Sequence, residues 1–302
     1  MFDYALLNAL ATVVREGSFE RAARALHLTP SAVSQRVRLL EERCGQVLVV
    51  RELPTRATSA GLALCRHAEE VALLEQALHQ RLPGLAGEAS APVTLPLAVN
   101  ADSLATWFVP AAAAVAASLP VLLDVHLEDQ EHTADHLRAG QVVAAITALA
   151  KPVPGCRSVP IGALRYVATA SPAFMARHFA DGVNASALAA APCLTFSRRD
   201  RLQAQWMEQQ GAVNASPPTH WLPATQAFVD ASLAGLGWGM NPEPLVRAAL
   251  ADGRLVALGP QAEWRVPLYW QCRQSLPMAA ELTAHVVAAA SSVLVQSDEP
   301  VR

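Results

Sequence analysis

The sequence contains few cysteines, and their spacing matches no common structural site. The five cysteines, at positions 44, 65, 156, 193 and 272, are odd in number and include no C-x-x-C pair. A disulfide-rich scaffold or a cysteine-ligated zinc site would need several closely and regularly spaced cysteines. We therefore expect reduced thiols, the usual state in the cytoplasm.

Long apolar runs are missing too. Asp3, Asn8 and Arg15 interrupt the first residues, so no charged segment followed by an apolar core opens the sequence. The longest alanine-rich run follows Pro110 and reaches Pro120 before it could span a bilayer. We expect a cytoplasmic protein with no membrane partner.

The chain as a whole has no excess of basic residues, which removes the simplest sign of nucleic-acid binding. The formal net charge is -3 at pH 7, and of the 302 residues 16% are charged and 52% hydrophobic. That balance indicates compact globular structure, and the length allows two or three domains. Residues 1–60 contain eight arginines and six acidic residues, so DNA binding would depend on local placement and on pairing of two copies.

Motifs for catalysis are also missing. No nucleophile elbow, phosphate loop or set of three metal ligands occurs, and the glycine-rich segment 235–239 precedes a predicted strand instead of opening a helix. His132 and His136, with Asp135 beside them, could form half of a metal site. No third ligand has matching spacing, so a solvent-exposed helix face is the favoured alternative. We expect no enzymatic activity, no metal and no cofactor.

The sequence does contain a pair of capped helices near its start. Residues 4–16 have the apolar spacing of a helix, which Gly17 would end. Ser18 is suited to cap a second helix and Thr29 a third, with Pro30 in the first helical position, where no N–H is needed. Two helices joined by so short a turn are typical of a helix-turn-helix.

The third predicted helix has two different faces. Val33, Val37 and Leu40 form an apolar face that would pack into a core. The other face carries hydroxyl, amide and guanidinium groups, on Ser31, Ser34, Gln35 and Arg38. Such groups can bond base edges in a major groove. An ordinary amphipathic surface helix is the alternative, but the preceding helix and the following basic segment 51–56 favour a DNA-binding module.

Residues 59–82 form one helical pattern without proline. Its apolar positions approximate a coiled-coil seam and are Leu64, Ala68, Val71, Leu74 and Leu78. A dimerising linker helix is favoured over a helix that lies on its own domain, because the apolar stripe lies between two domains. Residues 83–92 would then be a hinge.

Beyond residue 92, short apolar runs alternate with helical patterns, which indicates an α/β fold with parallel strands. The predicted strands are 93–99, 121–127, 142–147, 165–170, 193–196, 238–241, 255–258 and 266–272, the last two returning to the first subdomain. The predicted helices are 103–117, 132–139, 201–210, 225–234 and 278–295. Folds of this kind bind small ligands at the carboxyl ends of their strands.

The segment GSFERAARALHLTPSAVSQRVRLLEERCGQVLVVR resembles the N-terminal module of LysR-type transcriptional regulators. The resemblance continues through VNADSLATWFVP, RAGQVVAAIT and LYW, so it covers most of the chain. Within that family the sequence is most similar to the arginine- and lysine-responsive exporter regulators, the ArgP (IciA) and LysG group. Any one of these motifs is weak, but the set is specific.

The resemblance implies an α/β protein of three parts. Residues 1–58 would be a winged helix-turn-helix DNA-binding domain, and residues 59–91 a linker or dimerisation helix with its hinge. Residues 92–302 would be an effector-binding regulatory domain, a periplasmic-binding-protein-like pair of Rossmann-like subdomains. Subdomain I would comprise 92–162 and 260–302, and subdomain II 163–259.

The resemblance also implies roles for the residues near the start. The expected DNA-binding residues are Thr29, Pro30, Ser31, Ser34, Gln35 and Arg38 on the recognition helix, and Arg51 and Arg56 on the wing. The wing arginines would contact phosphates and not bases. Glu52 stands where close relatives carry threonine, and an acid repels a phosphate, so either Glu52 points away or the wing contact is weaker.

A small effector is the second implied ligand, and L-arginine and L-lysine are the candidates. Asn100 to Ser103 would form the loop and cap of the first regulatory helix and could hold an α-carboxylate, although a plain N-cap needs only Ser103. The expected effector-binding residues are Asn100, Asp102, Ser103, Glu128, Asp129, Thr147, Thr195, Phe196, Asp200 and Thr225. Glu128 and Asp129 rank first for a basic side chain.

The resemblance implies a cytoplasmic regulator that activates an arginine or lysine exporter gene. Its partners would be double-stranded promoter DNA, RNA polymerase and copies of itself, as a homodimer or as a homotetramer built from two dimers. Two alternatives stay open: a regulator with a different small effector, and an effector-independent, nucleoid-type DNA-binding protein.

Overall fold

The structure is a computed structural model that describes residues 2–81, 93–128 and 133–296. The chain divides into two compact units, Met1–Val93 and Thr94–Arg302. The predicted hinge at 83–92 lies outside the described residues, and the predicted subdomain boundaries stay predictions. Within the described ranges, no helix is both long and apolar enough to cross a membrane.

The first unit is helical, with one small sheet. Its elements are α1 (Tyr4–Glu16), α2 (Phe19–Ala25), α3 (Pro30–Cys44), β1 (Val49–Val50), β2 (Arg56–Ala57) and α4 (Ser59–Arg81). β1 and β2 pair antiparallel, with Val49 opposite Ala57. The predicted helix-turn-helix and wing are therefore confirmed. The helix predicted at 59–82 is α4 as far as Arg81, and its role as a linker stays a prediction.

Local signals in the sequence set the ends of these helices. Gly17 ends α1 in the left-handed conformation, with a φ of 66° that glycine adopts without strain. Ser18 caps α2 by accepting a hydrogen bond from the Arg21 amide at 3.1 Å. Thr29 caps α3 in the same way, by accepting one from the Ala32 amide at 3.2 Å. The predicted caps are confirmed.

The apolar faces of α1 and α3 make the core of this unit. Leu7, Leu10 and Val13 of α1 are fully buried with Val33 and Val37 of α3. Burial of each large aliphatic side chain contributes about 1.5 to 3 kcal/mol. Because one face of α3 is used in this way, its other face is left at the surface.

The second unit is an α/β domain. Its first part contains β3 (Val93–Asn100), α5 (Ala101–Ser103), a π-helical turn (Leu104–Phe108), α6 (Val109–Ser118), β4 (Val121–Glu128), α7 (Thr133–Arg138), β5 (Ala144–Thr147) and β6 (Cys156–Ala170). Its second part contains α8 (Pro172–His178), α9 (Ala185–Ala190), β7 (Cys193–Thr195), α10 (Leu202–Gln209), β8 (Thr219–Trp221), α11 (Thr225–Leu233), β9 (Gly239–Pro242), α12 (Glu243–Ala251), β10 (Val256–Ala257), β11 (Glu263–Arg273) and α13 (Ala279–Ser291).

Most of the described strands of this unit join one mixed sheet. The order is β10-β6-β11-β5-β3-β4, and β9 also pairs with β6. β3 and β5 are parallel, as are β7 and β8 in a separate two-stranded sheet. β6 and β11 pair antiparallel along nearly their whole length. The predicted α/β fold is confirmed, with two long antiparallel strands in the middle of its sheet.

The predicted strand 165–170 is only the second half of β6, which begins at Cys156. β6 contains Gly162, where φ is 111° and an added Cβ would lie 3.0 Å from the Val295 carbonyl oxygen. β6 and β11 stay paired on both sides of Gly162, because their register shifts between Leu268 and Tyr269 of β11. The predicted subdomain boundary at residue 162 therefore lies inside a strand.

Two predicted elements at the end of the chain need correction. The strand predicted at 255–258 does not return to the first subdomain beside β11, because Val256 pairs with Ala170 at the far end of β6. The last helix ends at Ser291 and not at Val295, because the Val295 amide donates to the Ala163 carbonyl at 2.9 Å. The sequence pattern also does not predict α8, α9 or α12.

All five cysteines carry free thiols, as predicted. Burial raises the pKa of Cys65, Cys193 and Cys272 to about 12. It also raises the pKa of Cys156. Cys44, the last residue of α3, is half-buried and differs in this from the other four.

Candidate functional site

The recognition-helix residues lie together at the surface of the first unit. Thr29, Pro30, Ser31, Gln35 and Arg38 are exposed, and Ser34 is half-buried. The Arg38 guanidinium bonds the Glu42 carboxylate one turn later at 3.1 Å. Exposed ion pairs of this kind contribute little to stability. Arg38 could therefore exchange Glu42 for a DNA acceptor at small cost.

The two wing arginines differ in how they are held. Arg56, on β2, is exposed. The Arg51 guanidinium lies over the Phe19 ring, 5.2 Å from its centroid, and 3.9 Å from the Glu41 carboxylate. Glu41 also accepts a hydrogen bond from the Leu48 amide at 2.9 Å. The fold therefore ties the start of the wing to α2 and α3.

Phe19 and Glu41 are supporting residues that the sequence analysis missed. A cation–π contact between α2 and the wing depends on tertiary packing, so residue spacing gives no signal for it. Glu52, whose position next to the phosphate contact was in question, is exposed.

The second unit contains a pocket at the ends of β3, β4, β7 and β9, which agrees with the rule for ligand sites in open α/β sheets. Its volume is about 50 Å³, and it is lined by Asn100, Ala101, Asp102, Glu128, Phe196, Asp200, Leu202, Gln203, Thr225, Phe228, Met240 and Pro242. Six of these are expected effector-binding residues: Asn100, Asp102, Glu128, Phe196, Asp200 and Thr225. The structure thus brings these six residues together in one pocket, although Asn100 and Thr225 are 125 positions apart in the chain.

The remaining expected residues do not line the pocket. Ser103 and Thr147 are fully buried, and the Thr147 hydroxyl accepts a bond from the Leu149 amide. Thr195 is buried beside the Cys193 thiol. Asp129 lies outside the described residues.

Ser103 is not the helix cap that the sequence suggests. Asn100 is the N-cap residue, although its side chain makes no capping bond, and Ser103 already has helical backbone angles inside the segment. The helix begins earlier because Ala101 and Asp102 also adopt helical conformation directly after β3. The expectation of a Ser103 cap is therefore wrong.

The Asp102 carboxylate joins three elements at one side of the pocket. It accepts hydrogen bonds from the Tyr166 hydroxyl of β6 at 2.6 Å and from the Thr225 hydroxyl of α11 at 2.8 Å. Tyr166 is almost completely buried, with 1% of its surface exposed. Asp102 is thus a positioning group for the pocket walls, in addition to being one of the acids that line it.

The other two acids of the pocket also have different environments. Asp200 accepts bonds from the Phe196 amide at 3.2 Å and the Leu202 amide at 2.9 Å, so it fixes the loop between β7 and α10. The Glu128 carboxylate is 37% exposed and lies 3.8 Å from Nε2 of His136. Glu128 is therefore the acid best placed to meet a ligand cation.

Two amide side chains of the pocket have unsatisfied oxygens. Asn100 is 3% exposed and Gln203 is 4% exposed. Asn100 Oδ1 and Gln203 Oε1 are buried and accept no hydrogen bond from any residue that the structure describes. The sequence analysis missed Gln203, Met240 and Pro242. The last two belong to β9, so the carboxyl-end rule applied to that strand would have found them.

The possible histidine metal site has no support in the described geometry. His136 faces the Gln141 side chain through Nδ1 at 2.7 Å and Glu128 through Nε2. Across residues 2–81, 93–128 and 133–296, no group of three or more histidine, cysteine or acidic residues could hold a metal. His132 lies outside these ranges.

Both units match known protein families. Residues 4–62 match the bacterial regulatory helix-turn-helix family of lysR type, and residues 93–291 match the LysR substrate binding domain. LysG of Mycobacterium tuberculosis is 49% identical over 290 residues, which cover 95% of this chain and 93% of LysG.

Solved structures show the same similarity over the full length. The crystal structure of ArgP from Mycobacterium tuberculosis has a TM-score of 0.80 and 46% identity, covering 98% of this chain and all of that one. Full-length LysG from Corynebacterium glutamicum with the bound effector arginine has a TM-score of 0.69 and 35% identity, covering 97% of this chain and all of that one.

Proposed function

Because the chain belongs to the LysR family of bacterial transcriptional regulators, we propose that it controls its target promoter in response to a basic amino acid. It is a regulator and not an enzyme, like the named relatives that it matches over nearly its whole length. The identity of the effector, the residues that bind it and the target gene are parts of the proposal.

The recognition helix α3 enters the major groove, and the wing contacts the flanking phosphates. Support comes from the exposed hydroxyl, amide and guanidinium groups along α3, which suit base edges, and from the exposed Arg56 on β2. Arg51 reaches a phosphate from its position over Phe19. Gln35 and Arg38 read sequence, and the wing arginines set position.

The effector is L-arginine or L-lysine, and one observation carries this assignment. The charged groups that line the pocket are the carboxylates of Asp102, Glu128 and Asp200, and two unsatisfied amide oxygens, of Asn100 and Gln203, add to these acceptors. None of its described lining residues is basic. A cation rich in N–H donors fits such a lining, and the arginine-bound relative supports the same class of ligand.

This lining changes the expected role of Asn100. The unsatisfied Oδ1 of Asn100 accepts an N–H group of the effector, which is a role beyond the expected carboxylate contact. Glu128 faces the positive charge. Binding shifts the equilibrium between arrangements of the regulatory unit and so alters contacts with DNA or RNA polymerase.

Copies of the chain pair through α4. Leu74 and Leu78 of this helix are 56% and 51% exposed, which leaves part of the predicted seam uncovered within one chain. Two such dimers form the tetramer that spans a promoter. The target, an exporter gene for arginine or lysine, follows from the sequence resemblance.

Footprinting of promoter DNA, with and without each amino acid, tests the proposed function. We expect a discrete protected site whose extent or affinity changes with arginine or lysine and not with alanine, because only a cation fits the acceptor-lined pocket. Even protection of unrelated duplexes would instead support a nucleoid-type protein. A discrete site that ignores both basic amino acids would refute the effector assignment.

A further inference from the structure

We propose that Gln203 selects the effector by its guanidinium group, so that arginine binds more tightly than lysine. This inference rests on the proposed function of the pocket as a site for a basic amino acid. It adds a residue of α10 to that site and makes it the determinant of specificity.

Gln203 has a buried side-chain oxygen with no hydrogen-bond donor among the described residues. It is 4% exposed in the first turn of α10 and lines the pocket. The nearby carboxylate of Asp200 already accepts two backbone N–H groups, whereas Gln203 Oε1 has no partner within the described part of the chain. A buried acceptor without a donor is destabilising. A ligand that supplies the donor removes this penalty.

Asn100, which belongs to a different element, also has a buried oxygen without a donor in the described ranges. It ends β3, is 3% exposed, and its Oδ1 also lacks a donor among the described residues. Buried polar side chains in proteins nearly always have hydrogen-bond partners. Two unsatisfied carbonyl oxygens in one pocket therefore indicate a ligand that donates in two directions.

The acceptors of the pocket favour a planar donor. A guanidinium group has five N–H donors that diverge within one plane. Asn100, Gln203 and Glu128 line the pocket from three different elements, so diverging donors suit them. The ammonium of lysine has three donors on one nitrogen, so it reaches the two amide oxygens less readily.

Calorimetric titration of the full chain with L-arginine and L-lysine tests this assignment. Wild type should bind arginine more tightly. Gln203→Met keeps the length of the side chain but removes the acceptor, and it should weaken arginine binding roughly tenfold while changing lysine binding less than about threefold. Gln209→Met, at an exposed position of the same helix, is the matched control and should change neither.

A second variant separates selection from a folding defect. Gln203→Glu retains an acceptor oxygen and should keep the preference for arginine. Equal weakening of arginine and lysine by Gln203→Met, loss of the preference in Gln203→Glu, or a wild type that binds lysine as tightly as arginine would overturn the role of Gln203. Each of these results leaves the cationic effector in place, whereas a wild type that binds neither amino acid refutes the proposed function itself.

Discussion

At the residue scale, the side chains that would meet DNA are held to different degrees. Arg51 is placed by the Phe19 ring and the Glu41 carboxylate, and Arg38 is paired with Glu42. Arg56 and Gln35 project at the surface. Arg51 loses less side-chain freedom on binding than a fully mobile arginine would, which favours a fixed contact.

Replacement of Gln35 and of Arg56 should have distinguishable effects. Gln35→Ala should cost about 1 to 3 kcal/mol on the cognate site and little on other DNA, because a base contact is lost. Arg56→Ala should weaken binding to all sequences and reduce the salt slope by about one, because a phosphate contact is lost. Fluorescence anisotropy at several salt concentrations measures both quantities.

Arg157→Ala is the control for this pair, since Arg157 is an exposed arginine of the second unit. It should leave the DNA affinity and the salt slope unchanged. If Gln35→Ala and Arg56→Ala gave the same profile, the proposed division between reading and positioning would be wrong.

The sequence was enough to predict the role of a residue when that role depends on neighbouring residues of the same helix. Ser18, Thr29 and Gly17 act on their own helices, so spacing was enough to identify them. Asp102 was found as a candidate, but its bonding to Tyr166 and Thr225, 64 and 123 residues away, depends on packing that spacing does not reveal. Gln203 was missed for the same reason.

At the scale of elements, a charged cluster attaches α12 to the long strands. Glu243, at the start of α12, accepts bonds from the Arg247 guanidinium at 2.8 and 2.9 Å and lies 3.1 Å from Arg165 of β6. Arg165 also approaches Glu263 of β11 at 3.6 Å. The hydrogen bonds from Arg247 and the charge of Arg165 lower the pKa of Glu243 below its ordinary value of 4.5.

The lowered pKa gives Glu243 a pH-dependent share in stability. A carboxyl group whose pKa is lower in the folded state stabilises the fold above its unfolded pKa and loses that effect as the pH falls through the folded value. Glu243→Gln should lower the free energy of unfolding by about 1 to 2 kcal/mol near neutral pH, between the values for exposed and buried pairs. The difference from wild type should shrink as the pH falls below 4.5.

Urea unfolding at neutral and acidic pH measures this difference. Glu281→Gln, at an exposed position of α13, provides the matched control and should show no such dependence. A Glu243→Gln deficit of equal size at both pH values would show that the charge of Glu243 is not the cause.

Helices with a sustained apolar pattern were predicted, whereas some short helices were missed. α1, α3 and α4 follow from apolar spacing over three or more turns, whereas α8 and α9 have seven and six residues. Helices so short depend on tertiary packing more than on their own propensity. The prediction missed the first part of β6, from Cys156 to Leu164, whose pairing with β11 is a long-range contact that local spacing does not reveal.

At the scale of the whole molecule, assembly through α4 should decide how well the protein binds DNA. Charged substitutions at Leu74 and Leu78 should raise the dissociation constant of the dimer at least about a hundredfold, since each leucine contributes about 1.5 to 3 kcal/mol when buried. Sedimentation of Leu74→Glu/Leu78→Glu measures the change.

Val213→Glu is a suitable comparison, because Val213 is an exposed valine of the second unit, with 66% of its surface accessible. It should sediment as wild type does. A double α4 variant that stays dimeric would place the pairing surface elsewhere. The boundary between the two compact units lies where the pattern of apolar spacing changes, near residue 92. The mixed order of the sheet gave no such signal in the sequence.

The buried cysteines have a practical consequence for following DNA binding. Maleimides react with thiolates, and burial raises the pKa of the Cys65, Cys193 and Cys272 thiols to about 12, so they form almost no thiolate at neutral pH. Cys156 is also buried and its pKa is also raised. Half-buried Cys44, at the end of the proposed recognition helix, is the natural attachment point for a fluorophore. One dye on the unaltered chain would then report promoter binding directly, without a cysteine-free background.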